Sequence, residues 1–227
     1  MDDTYLLRLT ECDRELEAHL QRFATKATPA PSSSPAQQPS DAPTRRTKRN
    51  KNAQGHAPRF DLGRELQRIS GVDLTRIDGI DIVIAQTIIS EVGVDMDPWI
   101  DEAHFASWLG LSPDNRITGD RVVGKGTRPV VSRAATALRM AATTLLKSRS
   151  YLGAQYRRFR TKLGAPKAIT AMAHKLARLV YRLLKYGHDY VDKGADYYEE
   201  RHREPQIALL KKRAAKLGLR IVEPEAA

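Results

Sequence analysis

Leucine and phenylalanine recur at helical spacing near the start of the chain. Positions 6, 9, 16, 20 and 23 are apolar at alternating steps of three and four residues, with Asp13 at the one polar step. This pattern predicts an amphipathic helix over residues 5–23 with a stripe of the coiled-coil type. Because the stripe is shorter than three heptads, the helix would be marginal alone. It therefore either pairs with another helix, through Leu9, Leu16 and Phe23, or docks on its own domain.

The next segment has a different composition. Residues 27–58 are rich in Pro, Ser, Ala and Gln and show no apolar periodicity. Such a segment cannot bury enough apolar surface to offset the entropy of ordering, so we predict a disordered linker. The basic cluster RRTKRNK at 45–51 either contacts phosphates or only keeps the linker soluble.

Helical spacing then resumes. A short helix is predicted over residues 60–71, and a longer one begins near Ile82. Between them, IDGID at 77–81 resembles a helix-hairpin-helix, in which a glycine turn offers backbone N–H groups to a DNA phosphate. Asp81 stands where this motif usually has a second glycine, and its charge would repel phosphate. The turn at Gly79 therefore either binds DNA or forms a purely structural helical hairpin.

Further helices are expected toward the end of the chain, most of them closed by glycine. They cover residues 104–111, 132–148, 150–164, 166–187 and a final segment that ends at Gly218. In the alanine-rich second helix, the residues expected to face the core are Ala134, Leu138, Ala141, Leu145 and Leu146. In the fourth, they are Ile169, Met172, Leu176, Leu179, Val180 and Leu183. The chain is therefore predicted to be mainly α.

The charge of the chain is concentrated in one region. The 227 residues carry a formal net charge of +11. Residues 116–185 alone contain 17 Lys and Arg and a single acid, Asp120, so this region is more positive than the whole chain. Solvated helix faces in ordinary enzymes mix both signs. A polyanion-binding surface is therefore the better interpretation of this segment.

Several classes of protein do not fit the sequence. The single cysteine, Cys12, excludes a disulfide framework and fits a reducing cytosol. We find neither an apolar run long enough for a membrane span nor a signal peptide in the acidic start. His174 is expected to be a structural histidine, and His202 lacks a second histidine at ligand spacing. Neither a P-loop nor a Rossmann fingerprint is present.

The segment NRITGDRVVGKGTRP at 115–129 raises the main functional question. It holds three glycines, one proline, four basic residues and one acid, and it lies between two helical segments. Three uses are open for it. It could form a plain surface hairpin, cradle a phosphate, or present the hydroxyl of Thr118 for chemistry.

A family resemblance bears on this question. Three stretches carry it: DLTRIDGIDIVIAQTIISEVG from residue 73, HFASWLGLSPDNRITGDRVVGKGTRP from residue 104, and ALRMAATTLLKSRSYLGAQYRRFRTKLGAPKAITAMAHKLARLVYRLLKYG from residue 137. Together they closely resemble the C-terminal domain of the DEDD-type insertion-sequence transposases of the "one-ten" type, a family of bridge-RNA-guided serine recombinases. The resemblance covers about residues 59–222. The N-terminal helix is similar to part of the coiled coil that joins this domain to the family's RuvC-like catalytic domain.

The resemblance implies a catalytic role for the 115–129 loop. The family places a nucleophilic serine immediately before a glycine, shortly after a Gly-Leu-x-Pro turn. In this chain the turn is GLSP at 110–113, and Thr118 stands before Gly119. The residues expected to bind nucleic acid, some of them next to this hydroxyl, are Arg116, Arg121, Lys125, Arg128, Arg133, Arg157, Arg158, Lys167, Lys175 and Arg178, together with Gly79.

The resemblance also implies a domain that this sequence does not show. The family's RuvC-like domain, whose four carboxylates hold Mg²⁺, should precede the coiled coil, so the sequence resembles a truncated transposase. No cofactor is expected in this chain itself, and its extra methyl group makes Thr118 a more crowded nucleophile than serine. We therefore expect a transposase, or DNA recombinase, that is weakly active or inactive alone.

These observations combine into one expected organisation. We predict a coiled-coil helix at 1–26, a disordered basic linker at 27–58, a helix-hairpin-helix-like element at 59–95, a compact basic helical transposase domain at 96–187 and a helical tail at 188–227. The expected function is DNA transposition of an insertion sequence. The expected partners are DNA, a guide RNA and a second copy of the chain, in the bacterial cytoplasm at the nucleoid. Two alternatives stay open: a catalytically inactive DNA- or RNA-binding module, and a protein that only dimerises through its N-terminal helix.

Overall fold

The structure is a computed structural model that describes residues 3–26, 58, 60–114, 116–119, 121–124, 126–187 and 193–219. The predicted linker at 27–58, apart from Pro58, lies outside the described residues, and so does its basic cluster at 45–51. Lys125 also lies outside them. For Arg116 the structure describes the backbone alone.

Helices dominate the described residues, which confirms the predicted mainly α fold. The α-helices are α1 (Asp3–Gln21), α2 (Leu62–Ser70), α3 (Ile82–Val92), α4 (Glu102–Trp108), α5 (Arg133–Thr144), α6 (Tyr151–Leu163), α7 (Ala165–Tyr186) and α8 (Gly194–Lys216). Short 3-10 turns cover Leu74–Arg76 and Leu145–Lys147. Two strands, β1 (Arg116–Thr118) and β2 (Arg121–Gly124), form an antiparallel hairpin between α4 and α5.

The helix starts follow local sequence signals. An Asp or Ser side chain accepts a hydrogen bond from a backbone N–H in the first turn of α2, α3, α4, α5 and α6. These N-cap residues satisfy donors that would otherwise lack a partner. They are Asp61, Asp81, Asp101, Ser132 and Ser150.

The core is built around α7. Met172, Leu176 and Val180 are fully buried along its inner face, as the sequence pattern predicted. The alanines of α5 allow that helix to pack closely beside α7, while α4 and α6 cover its other sides. One continuous core extends from α2 to the end of α7, so it crosses the predicted boundary between residues 95 and 96.

One predicted core position is wrong. Leu146 was expected to face the core, but its side chain is 37% exposed, whereas its neighbour Leu145 is fully buried. The chain leaves α-helical geometry after Thr144 and forms a 3-10 turn. The tighter turn has three residues per turn and rotates the next side chain outward.

The end of α1 docks on the body of the protein. Arg68 in α2 donates hydrogen bonds to the carbonyls of Leu20 and Phe23, each at 2.8 Å. Lys26 donates to two backbone carbonyls of the body at 2.9 and 3.1 Å. The first turns of α1 are exposed, including Leu6 at 37%. Docking on its own domain is therefore observed for the end of α1, and pairing with a second copy stays a prediction.

Candidate nucleic-acid interface and hydroxyl loop

The segment that raised the functional question forms a β-hairpin. Thr118 in β1 pairs with Arg121 in β2, and Gly119 lies at the turn with a φ of 58°. A positive φ is typical of tight hairpin turns and favours glycine there. Of the three uses open from the sequence, the described backbone matches a hairpin, and a hairpin can still present a hydroxyl at its tip.

The base of this hairpin is anchored to the end of α4. Gly110 has a φ of 67°, and a Cβ added to it would lie 2.7 Å from the Cβ of Val130. Arg128 donates a hydrogen bond of 2.5 Å to the hydroxyl of Ser107 in α4. Both legs of the hairpin are therefore fixed at their base.

Thr118 lies exposed near that tip. Within the described residues its hydroxyl has no hydrogen-bonding partner. Arg121 is the described cation closest to it by register, because the two residues pair directly. Arg128 lies at the base of the hairpin instead, where it donates to the hydroxyl of Ser107 in α4. The structure thus places Arg121, and not Arg128, beside the predicted nucleophile.

A groove runs from the hairpin base across α6 and α7. It has a volume of about 830 Å³ and is lined by Pro113 and Thr127 from the hairpin and by Lys167, Lys175 and Arg178 from α7. Three of the predicted nucleic-acid-binding residues therefore share one concave surface. The side-chain oxygen of Gln155, also at this groove, is buried without a hydrogen-bonding partner within the described residues.

One carboxylate partly neutralises the basic face of α7. Arg178 donates through Nε to Oε1 of Glu102 at 2.9 Å, and Arg182 donates through Nη2 to the same oxygen at 2.7 Å. Burial raises the pKa of the Glu102 carboxyl, but the hydrogen bonds from Arg182 and Arg178 outweigh burial and hold this pKa below its ordinary value. Neither Glu102 nor Arg182 was a candidate from the sequence, because each lies in a different helical segment and no motif connects them.

His174 lies on the groove, half-buried. Burial lowers the pKa of its imidazole, and the charge of Arg178 lowers this pKa further. The ring is therefore neutral at pH 7, so it can donate one hydrogen bond and accept another.

The turn that resembles a helix-hairpin-helix packs inward. A 3-10 turn, not a second α-helix, precedes it, and α3 begins at Ile82 as predicted. A Cβ added to Gly79 would lie 2.8 Å from the carbonyl oxygen of Ala141 in α5. The Asp81 carboxylate caps α3 through the N–H of Ile84 at 2.8 Å. The glycine thus serves a close approach between backbones, which favours the structural alternative weighed from the sequence.

A partly buried polar cluster beside this turn could not be identified from the sequence. The carboxylate of Asp78 accepts hydrogen bonds from the hydroxyls of Ser148 and Ser150, the latter at 2.6 Å. Ser150 also caps α6. Asp78 therefore ties the glycine turn to the connection between α5 and α6.

Some of the remaining predicted DNA-binding residues form contacts within the protein, and others face solvent. Arg157 donates to the carbonyl of Ser148 at 2.6 Å, so it supports that same connection. Arg133 is mostly exposed and lies 3.7 Å from the carboxylate of Glu91. Arg158 is exposed on α6. Basic residues that face solvent are the ones available to a phosphate backbone.

The described residues contain neither a metal-binding cluster nor a membrane-spanning helix. Among the residues that the structure places, no group of three or more His, Cys, Asp and Glu side chains could hold a metal ion. None of the helices described is long and apolar enough to cross a membrane.

Comparison with known proteins gives one finding. Residues 72–157 match the model of the Transposase IS116/IS110/IS902 family. No curated protein matches the chain. The matched region begins before the Gly79 turn, contains the whole hairpin and ends within α6. It therefore includes Thr118, Gly119 and the part of the groove that the hairpin and Gln155 line. This match supports a transposase region of the IS110 type over residues 72–157 of the chain.

Proposed function

We propose that this chain takes part in DNA transposition as a DNA-binding transposase, with Thr118 as its hydroxyl nucleophile. The observation that carries the proposal is the family match over residues 72–157 together with the position of Thr118 within it. Thr118 and Gly119 stand exposed at the end of a hairpin whose base is fixed to α4.

The chemistry required of Thr118 is attack on a DNA phosphodiester. Its Oγ1 forms a bond to phosphorus, and the bond from phosphorus to one sugar oxygen breaks. The Thr118 proton passes to water, and the departing sugar oxygen takes a proton from water. Arg121 pairs with Thr118 across the hairpin, and its proposed role is to stabilise the charge that develops on the phosphate. The family's Mg²⁺ would be held by a RuvC-like domain that acts together with this chain.

DNA binding is proposed for the groove and the solvent-facing basic residues around it. Lys167, Lys175 and Arg178 line the groove, and the hairpin forms one of its walls. Lys and Arg side chains on one face supply the sequence-independent part of DNA affinity. A structured RNA presents the same phosphate charge, so a guide RNA is proposed as a second ligand of this face.

A second candidate is a DNA- or RNA-binding module without catalysis. One observation favours it: within the described residues the Thr118 hydroxyl has no partner that could remove its proton. A threonine hydroxyl is a weak nucleophile unless a base or a metal activates it.

The test of catalysis compares covalent protein–DNA adducts on denaturing gels. The chain is combined with a RuvC-like domain of the family and duplex DNA. Thr118→Ser is expected to increase the adduct, since serine lacks the crowding methyl group, and Thr118→Ala should abolish it. Equal adduct yield from Thr118→Ala would remove the nucleophile role and leave the binding module.

The test of binding is fluorescence anisotropy with duplex DNA and with a structured RNA across a salt series. Neutralising Z phosphates gives a slope of log K against log salt of about −0.9Z on duplex DNA. A slope that corresponds to roughly five or more phosphates supports the proposed face. Absence of binding to either nucleic acid at low salt would contradict both candidate functions.

A further inference from the structure

A smaller cavity lies on the other side of Lys175 from the hairpin. It has a volume of about 200 Å³ and lies where α6, α7 and the start of α8 meet. Tyr151 and Tyr197 line it together with three cations, Lys175, Lys193 and Arg201. The cavity uses α7 and α8, so most of its lining lies outside the region that matches the transposase family.

Among the described residues, the charges that act on Lys175 are mostly positive. Arg178, Arg182 and Arg201 act on its ammonium group, and Glu102 is the one carboxylate that does so among the described residues. That carboxylate is already shared by two of these arginines. Within the part of the chain that the structure describes, no carboxylate forms an ion pair with Lys175.

Burial makes the charged form of Lys175 still less favourable. Lys175 is half-buried, and burial lowers the pKa of its ammonium group, as do the neighbouring arginines in turn. Desolvating a cation among like charges is unfavourable unless an anion offsets it. A cavity that combines such a lysine with two further cations is therefore complementary to an anion.

The size and lining of the cavity narrow the class of anion. Its volume is several times the roughly 30 Å³ that one water molecule takes up in the liquid, so it admits a group larger than a single water. Lys175 lies 6.0 Å from the ring centre of Tyr151, and Lys193 lies 4.8 Å from that of Tyr197. Two ammonium groups and a guanidinium can bond several oxygens of one phosphate at once, because arginine donates in a planar fork and lysine acts as a point charge.

We propose that this cavity binds one phosphate group, held by Lys175, Lys193 and Arg201. The phosphate belongs either to a nucleic-acid strand or to a small phosphorylated compound. The site shares Lys175 with the proposed DNA-binding groove but does not depend on catalysis by Thr118. Because Lys193 and Arg201 come from the beginning of α8, a bound phosphate also links α8 to α7.

The test uses the full chain and inorganic phosphate, titrated by calorimetry at constant ionic strength with chloride as the reference salt. Arg201→Gln and Lys175→Met are each expected to weaken phosphate binding about tenfold or more, as loss of a charge-assisted hydrogen bond implies. The matched controls are Arg213→Gln, exposed further along α8, and Lys162→Met, exposed at the end of α6. Both controls should bind phosphate like the wild type.

Thermal unfolding provides a second test, because a purely structural lysine would change the melting temperature differently. Without phosphate, Lys175→Met should raise the melting temperature, because it removes a half-buried cation from like charges. With phosphate, the wild type should gain stability and the variant should not. A lysine that only supports the fold would instead give a lower melting temperature with and without phosphate.

The outcomes separate this proposal from the proposed function. No heat of phosphate binding, or equal weakening by Arg213→Gln, overturns the phosphate site whatever happens with DNA. If phosphate binds and the chain fails to bind DNA, the site stands and the transposition proposal falls. Displacement of a single-stranded oligonucleotide by phosphate identifies the strand as its source, and binding of phosphate without displacement identifies a small phosphorylated compound.

Discussion

Glu102 and Arg178, which are 76 positions apart in the sequence, are joined by a hydrogen bond of 2.9 Å between Oε1 and Nε. Glu102 is the first residue of α4, and Arg178 lies on the basic face of α7. The pair therefore fixes the short helix that carries the hairpin to the helix that carries the groove. It also offsets part of the positive charge that would otherwise face a bound nucleic acid.

Replacing Glu102 should lower stability. Glu102→Gln removes the charge that Arg178 and Arg182 share, and both guanidinium groups are about half exposed, so solvent screens the loss. We expect the free energy of unfolding to fall by about 1–2 kcal/mol. Urea unfolding followed by circular dichroism measures this change. Glu204→Gln on α8 is the matched control and should leave the free energy of unfolding unchanged.

The same pair predicts how stability depends on pH. The folded-state pKa of Glu102 lies below its ordinary value of 4.5, so its ionised form stabilises the fold. The stability difference between the wild type and Glu102→Gln should be fully present above pH 4.5 and disappear as the pH falls through the folded-state pKa. A difference that stays constant down to the acid limit of folding would show that the charge of Glu102 is not its cause.

Gly79 should tolerate alanine poorly. The residue has a φ of 93°, and a Cβ there meets the Ala141 carbonyl oxygen at 2.8 Å. Backbone strain and the clash together predict a loss of about 2–4 kcal/mol in the free energy of unfolding for Gly79→Ala. Gly119→Ala is the matched control: it also has a positive φ, but nothing lies within 4 Å of its added Cβ. Its expected loss is about 1 kcal/mol, from strain alone.

If Gly79→Ala were as mild as Gly119→Ala, the contact between the turn and α5 would not be tight. The DNA-contact alternative for this turn would then regain support. Salt-dependent DNA binding of the refolded Gly79→Ala variant would distinguish the two roles, because a structural glycine leaves the salt slope unchanged.

Asp78 should act as a unit with the two serines that it contacts. Asp78→Ala leaves the Ser148 hydroxyl and Ser150 without their charged acceptor, so we expect a loss of about 2–3 kcal/mol. Combining Asp78→Ala with Ser150→Ala should cost less than the sum of the single changes, because both remove the same hydrogen bond. The control, Asp73→Ala, removes only a local cap and should cost about 1 kcal/mol. Additive losses for Asp78 and Ser150 would contradict the cluster.

Local signals in the sequence predicted most element boundaries. The predicted helices at 150–164 and 166–187 match α6 and α7: Ser150 caps α6, Pro166 lies in the first turn of α7, and Gly187 ends that helix in the left-handed conformation. These positions could be predicted because each signal acts within about four residues of the chain. The buried stripe of α7 followed for a similar reason, since its period depends on one helix alone.

The site was less predictable because its contacts join distant segments. The positive region at 116–185 was evident from composition, but its neutralisation by Glu102 depends on how α4 packs against α7. Asp78 lies in the predicted turn motif, yet its partners Ser148 and Ser150 follow 70 and 72 positions later. The hairpin was one of three uses open for its segment, since strands of three and four residues are too short to show a clear alternating pattern.

Exposure should decide which cations determine DNA affinity. Arg121 on the hairpin and Lys167 on the groove face solvent, whereas the charge of Arg178 is partly offset by Glu102. Arg121→Gln and Lys167→Gln should each reduce the magnitude of the salt slope for duplex DNA by about 0.9, the value for one phosphate contact. Arg178→Gln should reduce it by less. Anisotropy titrations of these variants across a salt series measure the slopes.

The control for these titrations is Arg213→Gln on α8, an exposed arginine outside the groove. A site-specific interface predicts that its slope equals that of the wild type, although its net charge changes as much as in the other variants. If all four variants lowered the slope equally, the chain would bind DNA through its total charge, and the groove would not be the interface. If Arg178→Gln had the largest effect, the Glu102 pair would open on binding, because only a released guanidinium could contribute a full phosphate contact.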